Sequence, residues 1–403
     1  MNLRLSSPSP FPRTAGRWPG LLILLALVAL LSPTAARAQS ANAVTEDTAR
    51  LLAGLPIRGG SGLEAVAASA EARNHAAAME ELWTRWEQIR LGKMRNWAAL
   101  QVRPQIRRPK TLFYLFGGPD LVSAATLFPG VELYTLGGLE PVGQIPDLRT
   151  MSPEALAQSL AQVRHNLRSI QEKGFFETRE MRTDLAQGSV SGVWPILALF
   201  AVRTGHEVTE WSRIGLDRDG RVIAGGATGG GPQGVQLTLR SADPAAGTQT
   251  VHYFSADVSD AGLGRDGRYL AYLSDQSPGG TYLKAASYLM HEDSFSRIRG
   301  FLLERSVFIL QDASGIPAAR FETGDWDIRT YGRYAGPVDI FKEYEQPGLY
   351  GWFQPPRWRG PLPFGANYRY SDEDAHQIFL IRQRWPDEAP AAGTPLRAVP
   401  TVP

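Results

Sequence analysis

The chain contains no cysteine in its 403 residues. That absence excludes disulfide bonds, thiolate metal sites, a cysteine nucleophile and the lipid-modified cysteine of a lipoprotein. The folded chain must therefore be stabilised by a hydrophobic core, for which its length is ample. The hydrophobic content of 43% and the charged content of 20% are typical of an ordinary globular protein.

A large excess of charge of one sign is also lacking. Lys and Arg total 42, Asp and Glu total 40, and the first 38 residues contribute four arginines and no acidic residue. The remainder of the chain is therefore near neutral or slightly acidic. This removes any global electrostatic case for binding nucleic acid or an anionic membrane surface.

The N-terminus has the three parts of a secretory signal peptide. Three arginines precede an unbroken apolar run at residues 21–31, and a stretch of small residues follows and ends Ala36-Arg37-Ala38. The run is shorter than the roughly 20 residues that cross a bilayer. We therefore expect residues 1–38 to be a cleaved signal peptide rather than a membrane anchor, which predicts a periplasmic or secreted protein of bacterial type.

Composition divides the rest of the chain into four predicted regions. Residues 39–63 are small and polar with glycine punctuation, which predicts a disordered leader. Residues 64–103 carry apolar side chains at helical spacing, which predicts a helical segment packed on the main body. Residues 104–386 are the predicted α/β domain, and residues 387–403 are a predicted disordered tail.

A β-α-β pattern opens the α/β domain. The apolar run 111–116 predicts a buried strand, the turn Gly117-Gly118-Pro119-Asp120 begins a helix, and a second strand at 131–137 leads to Glu140. Two strands and a helix within about 30 residues predict a parallel pair with a right-handed crossover. We therefore expect an α/β fold with a Rossmann-like core.

Later segments elaborate this core. The alternating runs 235–239 and 250–256 predict an antiparallel β-meander added to the sheet. Residues 282–291 and 295–303 show helical spacing, and residues 306–310 predict a further strand. The expected architecture is thus a parallel core with a meander and a helical N-terminal segment.

The glycine turn and Glu140 have the layout of a nucleotide-binding unit. In such a unit the glycines approach a phosphate, and an acid after the second strand binds ribose hydroxyls. The turn departs from G-x-G-x-x-G, and Asp120 lies where the phosphate would bind at the helix N-terminus. Cofactors such as NAD or S-adenosylmethionine are not expected free outside the cytoplasm. A helix cap with an ordinary strand-end turn is the alternative, so no cofactor is assigned.

Two further polar clusters are His291-Glu292-Asp293 and Gln311-Asp312 with Ser314. The carboxyl ends of parallel strands share one rim of a sheet, so Asp120, Glu140 and Asp312 are expected to converge there. Converging acids suit a divalent metal or general acid–base chemistry. The alternative is that Asp312 and Ser314 cap a turn and that the lone histidine is a packing residue.

Complete catalytic signatures are absent from the sequence. The run Gly188-Ser189-Val190-Ser191-Gly192 has valine where a G-x-S-x-G elbow needs serine. His291-Glu292 is not followed by the second histidine of H-E-x-x-H, which excludes a zincin. The glycine-rich stretch 225–234 lacks the Lys-Ser/Thr pair of a phosphate loop.

Four segments resemble a family of exported bacterial proteins of unknown function: FGGPD from Phe116, GLEPVG from Gly138, LKAASYLMH from Leu283 and ILQDASGIP from Ile309. The resemblance covers residues 75–385 and implies export and a single folded unit. It implies no activity, cofactor or role for any residue.

The sequence therefore predicts an exported protein with a polar pocket at the carboxyl rim of the sheet, either an enzyme or a non-catalytic ligand-binding protein. The candidate catalytic residues are Asp120, Glu140, His291 and Asp312. The candidate ligand-binding residues are Gly117, Gly118, Lys284, Gln311 and Ser314. A third hypothesis is a cell-envelope interaction partner that uses exposed aromatic side chains at Tyr331, Tyr334, Trp352 and Trp358. Substrate, metal, cofactor and partner are left open.

We expect the mature protein to begin at Gln39. Intact-mass measurement of the protein recovered from the periplasm of a bacterial host should show a chain that lacks residues 1–38. Ala38→Arg places a large charge at the cleavage position and should leave the precursor uncleaved, whereas Ser40→Ala should be processed normally. Recovery of the full-length wild-type chain only from the cytoplasm would contradict the export prediction.

Overall fold

A ten-stranded mixed β-sheet is the central element of the protein in its computed structural model, which describes residues 32–106, 109–173, 190–226, 230–242, 246–321, 324–366, 368 and 374–383. The strands are β1 (Thr111–Tyr114), β2 (Leu133–Gly138), β3 (His206–Leu216), β4 (Val222–Ala224), β5 (Gln233–Ser241), β6 (Thr248–Ser255), β7 (Gly279–Leu283), β8 (Ser306–Gln311), β9 (Trp326–Gly332) and β10 (His376–Arg382). The predicted tail, residues 387–403, and most of the predicted signal peptide lie outside the described residues.

The order across the sheet is β4-β3-β5-β6-β2-β1-β7-β8-β10-β9. The five neighbouring strands β6-β2-β1-β7-β8 run parallel to one another. On either side of them the pairings are antiparallel, β5 with β6 at one edge of the parallel group and β10 with β8 at the other. The expectation of a mixed α/β protein is confirmed.

Helices cover both faces of this sheet. They are α1 (Ser32–Leu52), α2 (Glu64–Ala67), α3 (Ala70–Trp86), α4 (Gly92–Trp97), α5 (Leu121–Leu127), α6 (Pro153–Lys173), α7 (Trp194–Arg203), α8 (Asp260–Arg265), α9 (Arg268–Asp275), α10 (Ser296–Arg305) and α11 (Leu349–Trp352). Among the described residues, none of them is both long enough and apolar enough to cross a bilayer.

Strand side chains alternate between two hydrophobic cores. In β1, Leu112 and Tyr114 belong to the core formed with the helices α3–α7, whereas Phe113 belongs to the core formed with α8–α10. Successive side chains of a strand point to opposite faces, so a strand between two helical layers is apolar throughout. That is why the run at residues 111–116 contains no polar position after Thr111.

The helical segment at residues 64–105 packs by one aromatic stripe. Ser69 caps α3 through its hydroxyl, which accepts a hydrogen bond from the Ala72 backbone N–H at 3.1 Å. Trp83 and Trp86 lie on the buried side of α3, and both rings contact Phe200 of α7, at centroid distances of 6.5 and 5.9 Å. Two π-helical segments, at 87–91 and 98–102, flank α4 and continue the helix towards the sheet.

Two predicted elements differ in the structure. The predicted meander strands do pair antiparallel as β5 and β6, but β6 also pairs parallel with β2 and so belongs to the parallel group. The start of the predicted helix at residues 282–291 is instead the end of β7. Short apolar runs buried on both sides do not distinguish strand from helix by spacing, and β7 is buried along its whole length.

The structure also differs from the predicted disordered leader at residues 39–63. Asp47 of α1 is fully buried, and its carboxylate accepts hydrogen bonds from the backbone N–H groups of Arg58 and Gly59, at 2.6 and 3.0 Å, and from the Ser61 hydroxyl at 2.7 Å. The neighbouring Glu46 accepts a hydrogen bond from the Val208 backbone N–H of β3 at 2.8 Å. These bonds order a glycine-rich loop that composition alone describes as flexible.

We expect Asp47→Ala to destabilise the protein by about 2–4 kcal/mol, because it leaves buried donors unpaired. Asp219→Ala removes an exposed carboxylate that pairs with Arg221 and should change stability by less than about 0.5 kcal/mol. Urea unfolding of the two variants and the wild type measures the difference. Equal stability of all three proteins would mean that the loop at 58–62 contributes nothing to the fold.

Candidate functional site

A cavity opens where the parallel strands β1, β2, β6 and β7 end. It encloses about 760 Å³, including its open mouth, and is lined by the turns that follow these four strands and by Leu289 and Phe295. Ligands of open α/β sheets bind at the carboxyl ends of the strands. This is the candidate functional site.

The turn after β1 brings backbone to the floor of the cavity. A Cβ atom on Gly117 would lie 2.2 Å from the ring of Tyr114, so only glycine fits over that ring. Gly118 has φ +55°, and its N–H donates a 3.0 Å hydrogen bond to the carbonyl oxygen of Gly137 in β2. Both glycines are required by local geometry, and together they keep side chains out of this part of the cavity.

Glu140 is a buried carboxylate that faces the cavity. It is 2% exposed, and the Tyr253 hydroxyl of β6 lies 2.9 Å from its backbone carbonyl oxygen and 3.2 Å from Oε2. No hydrogen bond from a described residue reaches Oε1. Oε1 is open to the solvent of the cavity rather than buried without a partner. Glu140 is therefore ready to accept hydrogen bonds from a ligand.

Asp120 and Lys284 form a buried ion pair beneath the glycine turn. One carboxylate oxygen of Asp120 accepts from the Ser123 backbone N–H at 3.2 Å and so caps α5. The other oxygen accepts from the Tyr114 hydroxyl at 2.8 Å and from Lys284 Nζ. Lys284 also donates to the Ser123 hydroxyl at 3.1 Å. An ammonium has three donors, so the third can face the cavity, which Lys284 lines.

The loop after β7 forms one wall of the cavity and is strained. Ala285, Ser287 and Tyr288 have φ angles of 51°, 54° and 56°, in the left-handed region that residues other than glycine rarely adopt. Such conformations persist only where surrounding contacts enforce them, and they concentrate at functional sites.

Three polar side chains enforce this conformation from behind. The Asp312 carboxylate accepts from the Ala285 N–H, and the Ser314 hydroxyl accepts from the Ala286 N–H, each at 2.8 Å. The Tyr368 hydroxyl accepts from the Ser287 N–H at 3.0 Å and donates to the Ala285 carbonyl at 2.9 Å. Burial raises the pKa of Asp312, although the Ser314 and Ala285 hydrogen bonds oppose the shift.

Asp257, which the sequence analysis did not select, is a second carboxylate on the cavity wall. It lies two residues after β6, is exposed, and accepts a 3.0 Å hydrogen bond from the Ser259 N–H through Oδ1. An acid immediately after an apolar run is the signal that could have identified it. A purely antiparallel meander does not place the end of β6 at the carboxyl rim, so that prediction does not identify Asp257 as a site residue.

Apolar side chains complete the walls. The rings of Phe116 and Phe295 lie 6.3 Å apart, and both line the cavity. Val258 is buried beside Asp257, whereas Leu139 at the mouth is 51% exposed. The cavity thus combines a polar floor with apolar walls, an arrangement typical of small-molecule sites.

The structure brings together only some of the predicted site residues. Gly117, Gly118, Glu140 and Lys284 line the cavity. Asp120 and Asp312 lie behind it and serve the ion pair and the strained loop. Ser314 also holds that loop, and the Gln311 side chain forms hydrogen bonds with the backbone of Ile316, at 2.8 and 3.0 Å.

Of the three acids expected at the rim, Asp120, Glu140 and Asp312, only Glu140 lines the cavity. In the described part of the chain, no three Asp, Glu or His side chains are placed to hold a metal ion together. The carboxylate oxygens of Asp120 and Asp312 instead accept hydrogen bonds from Lys284, Tyr114, Ser314 and backbone N–H groups.

His291 lies outside the cavity lining and packs against aromatic rings. Its ring centroid is 5.1 Å from that of Tyr288 and 5.7 Å from that of Tyr344. Burial lowers the pKa of His291 from its usual 6.5 to about 4. The geometry therefore gives it a packing role behind the strained loop.

The aromatic surface expected for an envelope partner is mostly interior. Tyr331, Tyr334 and Trp352 are buried, and of the four side chains only Trp358 is substantially exposed. An interaction surface built from these four rings is therefore not present.

In comparisons with known proteins, no family model, no curated protein and no solved structure matched the chain. The resemblance to an exported family stays a prediction. The geometry of the cavity is therefore the main indication of function.

We expect the His291 imidazole to titrate well below pH 6.5 in the folded protein. Because its pKa is lowered on folding, its contribution to stability is fully present above pH 6.5 and is lost as the pH falls towards about 4. An NMR titration of the histidine Cε1–H signals, with His291→Gln for assignment, measures this pKa. A value between 6 and 7 would show a solvated ring and would restore His291 as an acid–base candidate.

Proposed function

We propose that the cavity binds a nucleoside, that is, a flat heterocycle joined to a sugar with a vicinal diol. The observation that carries this proposal is Glu140, a buried carboxylate with a free oxygen, placed two residues after β2 and against the glycine turn. A carboxylate in this position after the second strand can accept hydrogen bonds from both ribose hydroxyls.

The strand order supports the proposal. Numbered along the chain, the parallel strands β1, β2, β6, β7 and β8 are one to five, and their order across the sheet is 3-2-1-4-5. That is the order of doubly wound Rossmann-like folds, in which the ligand lies where the order reverses, between strands one and four. The cavity lies at that reversal, between the turn after β1 and the loop after β7. This support is an analogy of fold.

The remaining walls suit a heterocyclic base. Because β6, β2, β1 and β7 are neighbours in that order, a ligand whose ribose lies at Glu140 places its base towards β6. There Val258 and Leu139 offer apolar surface, and Asp257 offers a carboxylate to an amino group on the base. A base with an exocyclic amine, such as adenine, fits these groups best.

A phosphate does not fit the same turn. Asp120 itself caps the N-terminus of α5, the place where a dinucleotide fold binds its pyrophosphate. Of the described lining residues only Lys284 is cationic, and it is paired with Asp120. The proposed ligand is therefore a nucleoside without phosphate.

Export remains part of the proposal on the strength of residues 1–38. Nucleotide cofactors are not expected free outside the cytoplasm, and a site that rejects phosphate is consistent with an exported protein.

The strained backbone at Ala285, Ser287 and Tyr288 favours an enzyme over a binding protein without turnover. Incubation with the bound nucleoside, followed by mass spectrometry of the products, separates these two candidates.

We expect adenosine to bind the wild-type protein more tightly than 2′,3′-dideoxyadenosine, because only adenosine has the diol. Glu140→Gln should weaken adenosine binding by about 10- to 100-fold, the usual value of hydrogen bonds to a charged acceptor. The same change should leave dideoxyadenosine binding nearly unaltered. Isothermal titration calorimetry measures all four affinities.

Glu210→Gln is the matched control, since Glu210 is exposed on β3, away from the cavity. It should bind both ligands as the wild type does. If neither ligand binds the folded wild-type protein, or if Glu140→Gln weakens both ligands equally, the nucleoside proposal is wrong.

A further inference from the structure

The charges around the cavity are unequal. Glu140 and Asp257 line the cavity, whereas the one lining ammonium, that of Lys284, is paired with Asp120 behind it, so the formal charge of these described groups is −2. Asp312, which lies behind the strained loop, adds a further carboxylate and no cation. A neutral nucleoside leaves this negative potential uncompensated.

The strand order indicates where compensating charge belongs. Across the sheet the order β6-β2-β1-β7 places Asp257, Glu140, the glycine turn and Lys284 in a row. With the base at Asp257 and the diol at Glu140, the 5′ carbon of the sugar points to the glycine turn, where no side chain fills the space. There the nearest charge is Glu140, whose carboxylate oxygens lie 3.3 and 3.5 Å from the position that a Cβ on Gly118 would occupy.

We propose that the ligand is a nucleoside with a cationic ammonium group on its 5′ side, seated on the Gly117-Gly118 turn beside Glu140. This inference rests on the nucleoside proposal and adds the charge of the substituent. Asp120 does not compete for the cation, because its oxygens are taken by Lys284, Tyr114 and the Ser123 N–H. Oε1 of Glu140 is available both to the cationic group and to the diol.

Three adenosine analogues with different 5′ charges test the proposal. They are 5′-amino-5′-deoxyadenosine, which is cationic, adenosine, which is neutral, and adenosine 5′-monophosphate, which is anionic. By calorimetry on the mature chain, the cationic analogue should bind about 10-fold more tightly than adenosine, and the monophosphate about 10-fold more weakly. Raising the salt concentration should narrow both gaps, because the cavity mouth is open to solvent.

Two variants connect the effect to the named carboxylates. Glu140→Gln keeps the shape of the side chain and can keep the contact with Tyr253, and it should abolish most of the advantage of the cationic analogue. Asp257→Asn, at an exposed position, should reduce the advantage by a smaller factor while leaving the fold intact. Glu210→Gln should retain the full order of affinities. Thermal unfolding of each variant confirms that it is folded.

The outcomes separate this inference from the nucleoside proposal. If adenosine binds but the three analogues bind equally, or the monophosphate binds most tightly, the nucleoside site stands and the cationic substituent is refuted. If none of the three binds to folded wild-type protein, the nucleoside proposal fails and this inference fails with it. The order amine, adenosine, monophosphate, lost in Glu140→Gln, supports both.

Discussion

The ion pair between Asp120 and Lys284 is the constraint on which the site depends. The two residues are 164 positions apart, and the pair is almost completely buried. It joins the first turn of the parallel sheet to the loop after β7, and the other oxygen of Asp120 caps α5. Hydrogen bonds to both partners stabilise this buried pair. Loss of either partner would leave an uncompensated charge in a region of low dielectric.

Two other buried carboxylates stabilise turns by accepting hydrogen bonds from backbone N–H groups. Asp47 holds a glycine-rich loop, and Asp312 holds a left-handed turn, each through backbone N–H groups. Turns of this kind expose N–H groups that no helix or strand can satisfy, and a carboxylate is a strong acceptor for them. Glu140 is different because its single described donor, Tyr253, leaves one oxygen open.

Local pattern was sufficient for part of this structure. The strand β1, its glycine turn, the helix α5 and the strand β2 with Glu140 are contiguous, so spacing and burial specify them. Local pattern does not specify the parallel pairing of β6 with β2 or the strand β7, because their partners are distant in sequence and their apolar runs are short. The parallel pairing of β6 with β2 is what makes Asp257 a cavity residue. The role of Asp120 depends on Lys284, and no sequence spacing reveals that contact.

The helix α1 begins at Ser32 and continues to Leu52, so it includes the bond between Ala38 and Gln39. Peptidases act on extended chain, and a peptide bond inside a helix is cut only after local unfolding. Processing of an exported precursor would therefore have to occur before this helix forms. If residues 1–38 are a signal peptide, as their sequence predicts, cleavage after Ala38 competes with formation of this helix, and the order of the two events is a kinetic property of the chain.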